Sequence, residues 1–119
     1  KITPIIIVDF HAEVTSEKVA MGYFLDGRAS VVFGTHTHIQ TADEKILPGG
    51  TGYITDLGMT GPADSVLGMN KSIIVKRFLT GMPQKFEIAP GKGQFCGCIF
   101  TIDEKSGKCS DIERLYFYE

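Results

Sequence analysis

Residues 5–38 read IIIVDFHAEVTSEKVAMGYFLDGRASVVFGTHTH, and this stretch decides the fold. Ile5 to Val8 are continuously apolar and β-branched, the pattern of a strand covered on both faces, as in a parallel sheet. Helix signals follow. Thr15 or Ser16 can cap, Glu17 sits in the first turn, Val19, Met21, Tyr23, Phe24 and Leu25 supply an apolar stripe, and Gly27 is placed to end it. The pattern predicts a helix near Ser16–Asp26. Ala29 to Phe33 is a second short apolar run, stopped by Gly34, so strand, helix and strand have the size of a βαβ unit. Its strands should be parallel and its connection right-handed.

Beyond this unit the pattern changes. Leu47 to Gly61 mixes Gly, Pro and Thr around Tyr53 and Ile54, which reads as turns about one brief strand. Between Met69 and Leu79, the residues Ile73, Ile74, Phe78 and Leu79 fit either a short helix or a strand, leaning toward helix. Lys85–Ala89, Gln94–Ile102 and Asp111–Tyr118 alternate polar and apolar residues between glycine turns, as antiparallel strands with one wet face do. The fold class is therefore mixed α/β.

The 119 residues suffice for one domain. Hydrophobic residues make up 43% and charged residues 22%, which excludes disorder and low complexity. A net charge of -2 with interspersed signs offers duplex nucleic acid no basic face. The longest apolar run, Ile5 to Val8, is far too short to cross a membrane. Cys96, Cys98 and Cys109 are odd in number and lack a CxxC pair, which suits free thiols in a reducing cytoplasm. Cys96 and Cys98 share a strand face and could form a thiolate pair, but small buried apolar residues explain them better. Gly49, Gly50, Gly52, Gly58 and Gly61 match neither phosphate-loop pattern and read as turn residues.

The three histidines, His11, His36 and His38, each follow a strand of the βαβ unit. Ligands in open α/β sheets gather at the carboxyl ends of strands, so the three should converge there. In an extended segment, residues two apart point the same way, which would turn His36 and His38 into one cavity. Neutral imidazoles suit a transition metal. They could form a mononuclear zinc site, or half of a dinuclear site completed by carboxylates. Asp9, Glu13, Asp43 and Asp56 are the nearby acids, and each could equally be a solvated loop charge.

IVDFHAE at Ile7 to Glu13, TSEK at Thr15 to Lys18, VVFGTHTHIQTADEKILPGG at Val31 to Gly50 and YITDLGMTGP at Tyr53 to Pro62 together resemble the calcineurin-like metallophosphoesterases. They look closest to the YmdB-type branch, associated with 2',3'-cyclic-nucleotide phosphodiesterase activity. The resemblance implies a four-layer α/β/β/α sandwich with two divalent or transition metal ions, Fe, Mn or Zn, at the strand ends. It implies that His11 and His36 bind one metal and His38 the other. It assigns no chemistry to Thr35, Thr37, Asp56 or the turn from Gly58 to Pro62.

The family's opening Asp motif, bridging carboxylate block and GNH block, whose histidine is the leaving-group acid, are not found; the only asparagine is Asn70. The expectation is thus that residues 1–119 are the C-terminal half of one metallophosphoesterase domain, inactive without the N-terminal half. The substrate would be a small phosphodiester or cyclic nucleotide. Two other readings stay open, a non-catalytic scaffold of the same shape and a complete three-histidine zinc hydrolase. Half a sandwich exposes an apolar sheet face and open edges, so association with the missing half or with a second copy is expected.

Overall fold

The computed structural model describes residues 2–119. The elements run β1 (Ile7–His11), α1 (Thr15–Leu25), β2 (Val31–Thr35), β3 (Lys45–Ile46), β4 (Gly52–Ile54), β5 (Gly61–Pro62), α2 (Lys71–Thr80), β6 (Gly93–Ile102) and β7 (Cys109–Tyr118). They form a four-stranded sheet in the order β1-β2-β4-β3 and a three-stranded sheet in the order β5-β6-β7, so the class is mixed α/β. The chain divides into two compact units. One comprises the residues up to Gly58 together with Gly97–Leu115, and the other Met59–Cys96 with Tyr116–Glu119.

In the first unit, β1 and β2 are parallel, with Ile7 opposite Val31 and His11 opposite Thr35. β2 and β4 are also parallel, and β3 returns antiparallel on β4. The expected βαβ unit is present, with α1 as the crossover. Its first strand departs from expectation, because the strand starts at Ile7 and lies at the sheet edge, where Ile7 is 61% exposed. Coverage on both faces belongs instead to the central strands, where Val31, Val32, Tyr53 and Ile54 are fully buried.

Helix α1 also differs from its apolar reading. Its buried residues are Lys18 and Gly22, while Tyr23 and Phe24 face out under the cations of Lys45 and Arg28. Val14 stands at the N-cap, and neither Thr15 nor Ser16 caps with its side chain. The close approach of helix and sheet sets this rotation. A Cβ at Gly22 would lie 2.6 Å from the Tyr53 ring, so only glycine lets the helix seat there. Ala29, Val32, Leu47 and Tyr53 form the core beneath it, with Ile6, Val8, Val19, Met21 and Leu25 packed around.

In the second unit, the Met69–Leu79 stretch is the helix α2. Asn70 caps it by accepting the Ser72 N–H at 3.0 Å, and Gly81 closes it at φ 67°. β5 pairs antiparallel with β6, Gly61 opposite Gln94. Lys85–Ala89 is not a strand, contrary to its alternation. It makes one bridge, Ile88 to Met69, and hydrogen bonds to a loop through Glu87 and Ala89. Pro83 and Pro90 flank it and lack the N–H that would extend a ladder, and Ile88 stays 74% exposed. Among the described residues no helix is long and apolar enough to cross a membrane.

Candidate functional site

Parallel pairing brings the carboxyl ends of β1 and β2 together, and with them two of the three histidines. His11 ends β1 opposite Thr35, and His36 is the first residue beyond β2. His11 Nε2 and His36 Nδ1 lie 3.0 Å apart, the rings edge to face with centroids separated by 4.8 Å. The other nitrogen of His11, Nδ1, is 3.0 Å from Thr35 Oγ1, whose hydroxyl donates to Asp9 Oδ1 at 2.8 Å. Glu13 Oε2 is 3.8 Å from His36 Nε2, but its side chain is 84% exposed and the contact contributes little.

The segment carrying His36 and His38 is not extended. His36 has φ 112° and His38 φ 66°, both in the region L residues disfavour. The expected alignment of the two rings by strand geometry is therefore corrected: each histidine leaves the chain through its own left-handed turn. Nor do three imidazoles gather at one point. Among the described residues no group of three or more His, Cys, Asp or Glu side chains is close enough to hold a metal ion by itself.

Strain of this kind, about 1–3 kcal/mol per residue, persists where surrounding contacts over-determine the backbone. Here Asp56 does so. Its Oδ2 accepts the Thr37 N–H at 3.0 Å and the Lys18 ammonium at 2.7 Å, and its Oδ1 accepts the Gly58 N–H at 2.9 Å. Lys18 and Asp56 are both buried to 1% exposure. Burial by itself raises the Asp56 pKa, and the Lys18, Gly58 and Thr37 hydrogen bonds outweigh it, so the carboxyl is held below its ordinary value. A clamp on Thr37 fixes the residues on either side. Gly34, two residues before His36, admits the same close packing, because a Cβ there would lie 1.8 Å from the Thr55 carbonyl oxygen.

The four candidate acids thus separate by role. Asp43 accepts from Thr41 Oγ1 at 2.6 Å, from the Thr55 hydroxyl and from the Thr55 N–H at 3.1 Å, so with Asp56 it braces backbone. Asp9 and Glu13 are the acids that approach the histidines. Sequence reasoning missed Lys18, which stands four residues before Gly22 on the buried side of α1, and the hydroxyl link made by Thr35. The cysteines are free, and burial pushes all three thiols up, Cys98 to about 11. They pack as small apolar residues.

The histidine pair suits a cation chemically. Tetrahedral metal–nitrogen bonds of about 2.0–2.1 Å separate two ligand nitrogens by about 3.4 Å, and His11 Nε2 and His36 Nδ1, in hydrogen-bond contact at 3.0 Å, need to part only slightly to share one ion. Both histidines are exposed in this chain.

Comparison with known proteins agrees with this architecture. A family model described as YmdB-like protein matches residues 1–115. The chain is 56% identical over 115 residues to the 2',3'-cyclic-nucleotide 2'-phosphodiesterase of Bacillus subtilis (strain 168), covering 97% of this chain and 44% of that protein. A crystal structure of a hypothetical protein from Thermus thermophilus superposes with a TM-score of 0.91 at 44% identity, over 98% of this chain and 45% of that one. A novel phosphatase from Mycoplasma pneumoniae gives a TM-score of 0.93 at 40% identity, over 97% and 41%. The chain spans less than half the length of these relatives. The match over nearly its whole length establishes that the chain belongs to the YmdB-like protein family.

Proposed function

We propose that this chain forms part of a dinuclear, metal-dependent phosphodiesterase acting on small phosphodiesters such as 2',3'-cyclic nucleotides. The family and the name of the Bacillus subtilis relative support the reaction class. The observation that carries the metal reading is the 3.0 Å separation of two imidazole nitrogens at adjoining strand ends. In this reading His11, through Nε2, and His36, through Nδ1, would hold one cation of the Fe, Mn or Zn kind, and His38 would hold the second. When bound, paired divalent cations supply a nucleophile near neutral pH and countercharge for the phosphoryl oxygens.

The residues of this chain hold and orient. Lys18 and Asp56 fix the loop through Thr37, and the strand ends set the spacing of His11 and His36. The remaining ligands and the histidine that protonates the leaving group would come from outside these 119 residues, in one domain of which they are the C-terminal part. The isolated chain is then inactive.

The test is His36→Ala in the intact protein, with hydrolysis of 2',3'-cyclic AMP and elemental analysis read together. Turnover should fall about 100-fold as metal content drops, with the fold retained by circular dichroism. Normal turnover with normal metal content would overturn the assignment. An intact wild-type protein that purifies folded but binds no added Zn²⁺ or Mn²⁺ would establish the scaffold reading instead.

A further inference from the structure

We infer that Thr35 is a positioning residue that sets the tautomer of His11, so that Nε2 presents its lone pair toward His36. The inference rests on the metal-centre reading for its purpose, but its evidence is a count of hydrogens. Thr35 has one hydroxyl hydrogen, and it goes to Asp9 Oδ1 at 2.8 Å. The contact between Thr35 Oγ1 and His11 Nδ1, at 3.0 Å, must therefore take its hydrogen from the ring. A neutral His11 with its proton on Nδ1 has its lone pair on Nε2, the atom that meets His36 Nδ1 at 3.0 Å.

With His11 neutral, the chain of donors runs in one direction. His36 Nδ1–H gives to His11 Nε2, His11 Nδ1–H gives to Thr35, and Thr35 gives to the Asp9 carboxylate, which only accepts. Asp9 thereby acts on His11 without touching it. Both nitrogens become available to one cation when His36 moves its proton from Nδ1 to Nε2, the side on which Glu13 Oε2 lies at 3.8 Å. His11 needs no such change. Its ring is held in the donor form before any ion arrives, by pairing of β1 with β2 that sets His11 opposite Thr35. Groups that hold the far nitrogen of a ligating imidazole typically account for about 10–100-fold in metal affinity.

The experiment compares the intact wild-type protein with Thr35→Val and Thr35→Ser, each labelled with ¹⁵N-histidine and free of metal. Long-range ¹H–¹⁵N spectra, with His11→Gln to assign the ring, report which nitrogen carries the proton. Wild type and Thr35→Ser should show His11 protonated on Nδ1, and Thr35→Val should lose that preference. Co²⁺ titration, followed by its visible bands, should weaken about 10–100-fold in Thr35→Val and recover in Thr35→Ser. His11 protonated on Nε2 in the wild type, or on Nδ1 unchanged in Thr35→Val, overturns the inference. Intact tautomer control with no Co²⁺ bound by any of the three refutes the metal-centre reading and upholds the hydrogen-bond relay.

Discussion

Replacing Lys18 by Met removes the ammonium beside Asp56 and leaves the rest of the clamp in place. The carboxylate, 1% exposed in the native chain, keeps hydrogen bonds from Thr37 and Gly58. Breaking one side of a buried ion pair costs about 3–5 kcal/mol, because the remaining charge is stranded in low dielectric. That is a large part of the roughly 5–15 kcal/mol available to a domain. At about 4 °C per kcal/mol, the midpoint of thermal unfolding should fall by about 12–20 °C at pH 7.5. The pH dependence has a definite sign. Asp56 is held below its ordinary value in the native protein, so its contribution is present above the unfolded value near 3.8 and is lost as pH falls through the lower native value. Without Lys18 burial dominates and the carboxyl takes up a proton more readily, so the gap between Lys18→Met and wild type should narrow as pH falls from 7.5 toward 4.5. Adding Asp56→Asn to Lys18→Met should recover part of the loss, since a neutral amide strands no charge and its oxygen can still accept from a backbone N–H. Circular dichroism melts at the two pH values measure all three quantities. A drop below about 3 °C for Lys18→Met at pH 7.5, with no pH dependence, would refute the clamp.

Two further outcomes follow from packing and burial. Gly34→Ala places a methyl 1.8 Å from the Thr55 carbonyl oxygen and must part β2 from the segment after β4, so urea unfolding should lose at least about 3 kcal/mol. Cys98, its thiol pushed by burial to about 11 from an ordinary 9.0, should react with iodoacetamide at pH 8 about 100-fold more slowly than an exposed cysteine, as mass spectrometry of labelled protein would record.

The parts of this molecule that are readable in its sequence are those made by neighbours along the chain. The βαβ unit is announced by apolar runs and a glycine stop within thirty-odd residues, and parallel pairing then places His11 beside the residues after β2. The expected extended geometry of His36 and His38 failed because their backbone answers to Asp56, a carboxylate supplied from beyond β4. Lys18 was missed for the same reason, since its partner is 38 residues away. Lys85–Ala89 has the alternation of a strand but finds a loop where a ladder partner was needed. Thr35 carries no signal of its own, because a threonine in a strand is ordinary until the opposite strand puts a histidine and an aspartate within its reach.

The left-handed backbone at both His36 and His38 sets backbone ease and chemistry against each other. Glycine at either position would relieve the steric conflict of the backbone, while deleting the imidazole. A population of variants screened only for backbone ease would admit glycine at 36 and 38, and would shed, in the same step, the side chains on which catalysis is proposed to depend.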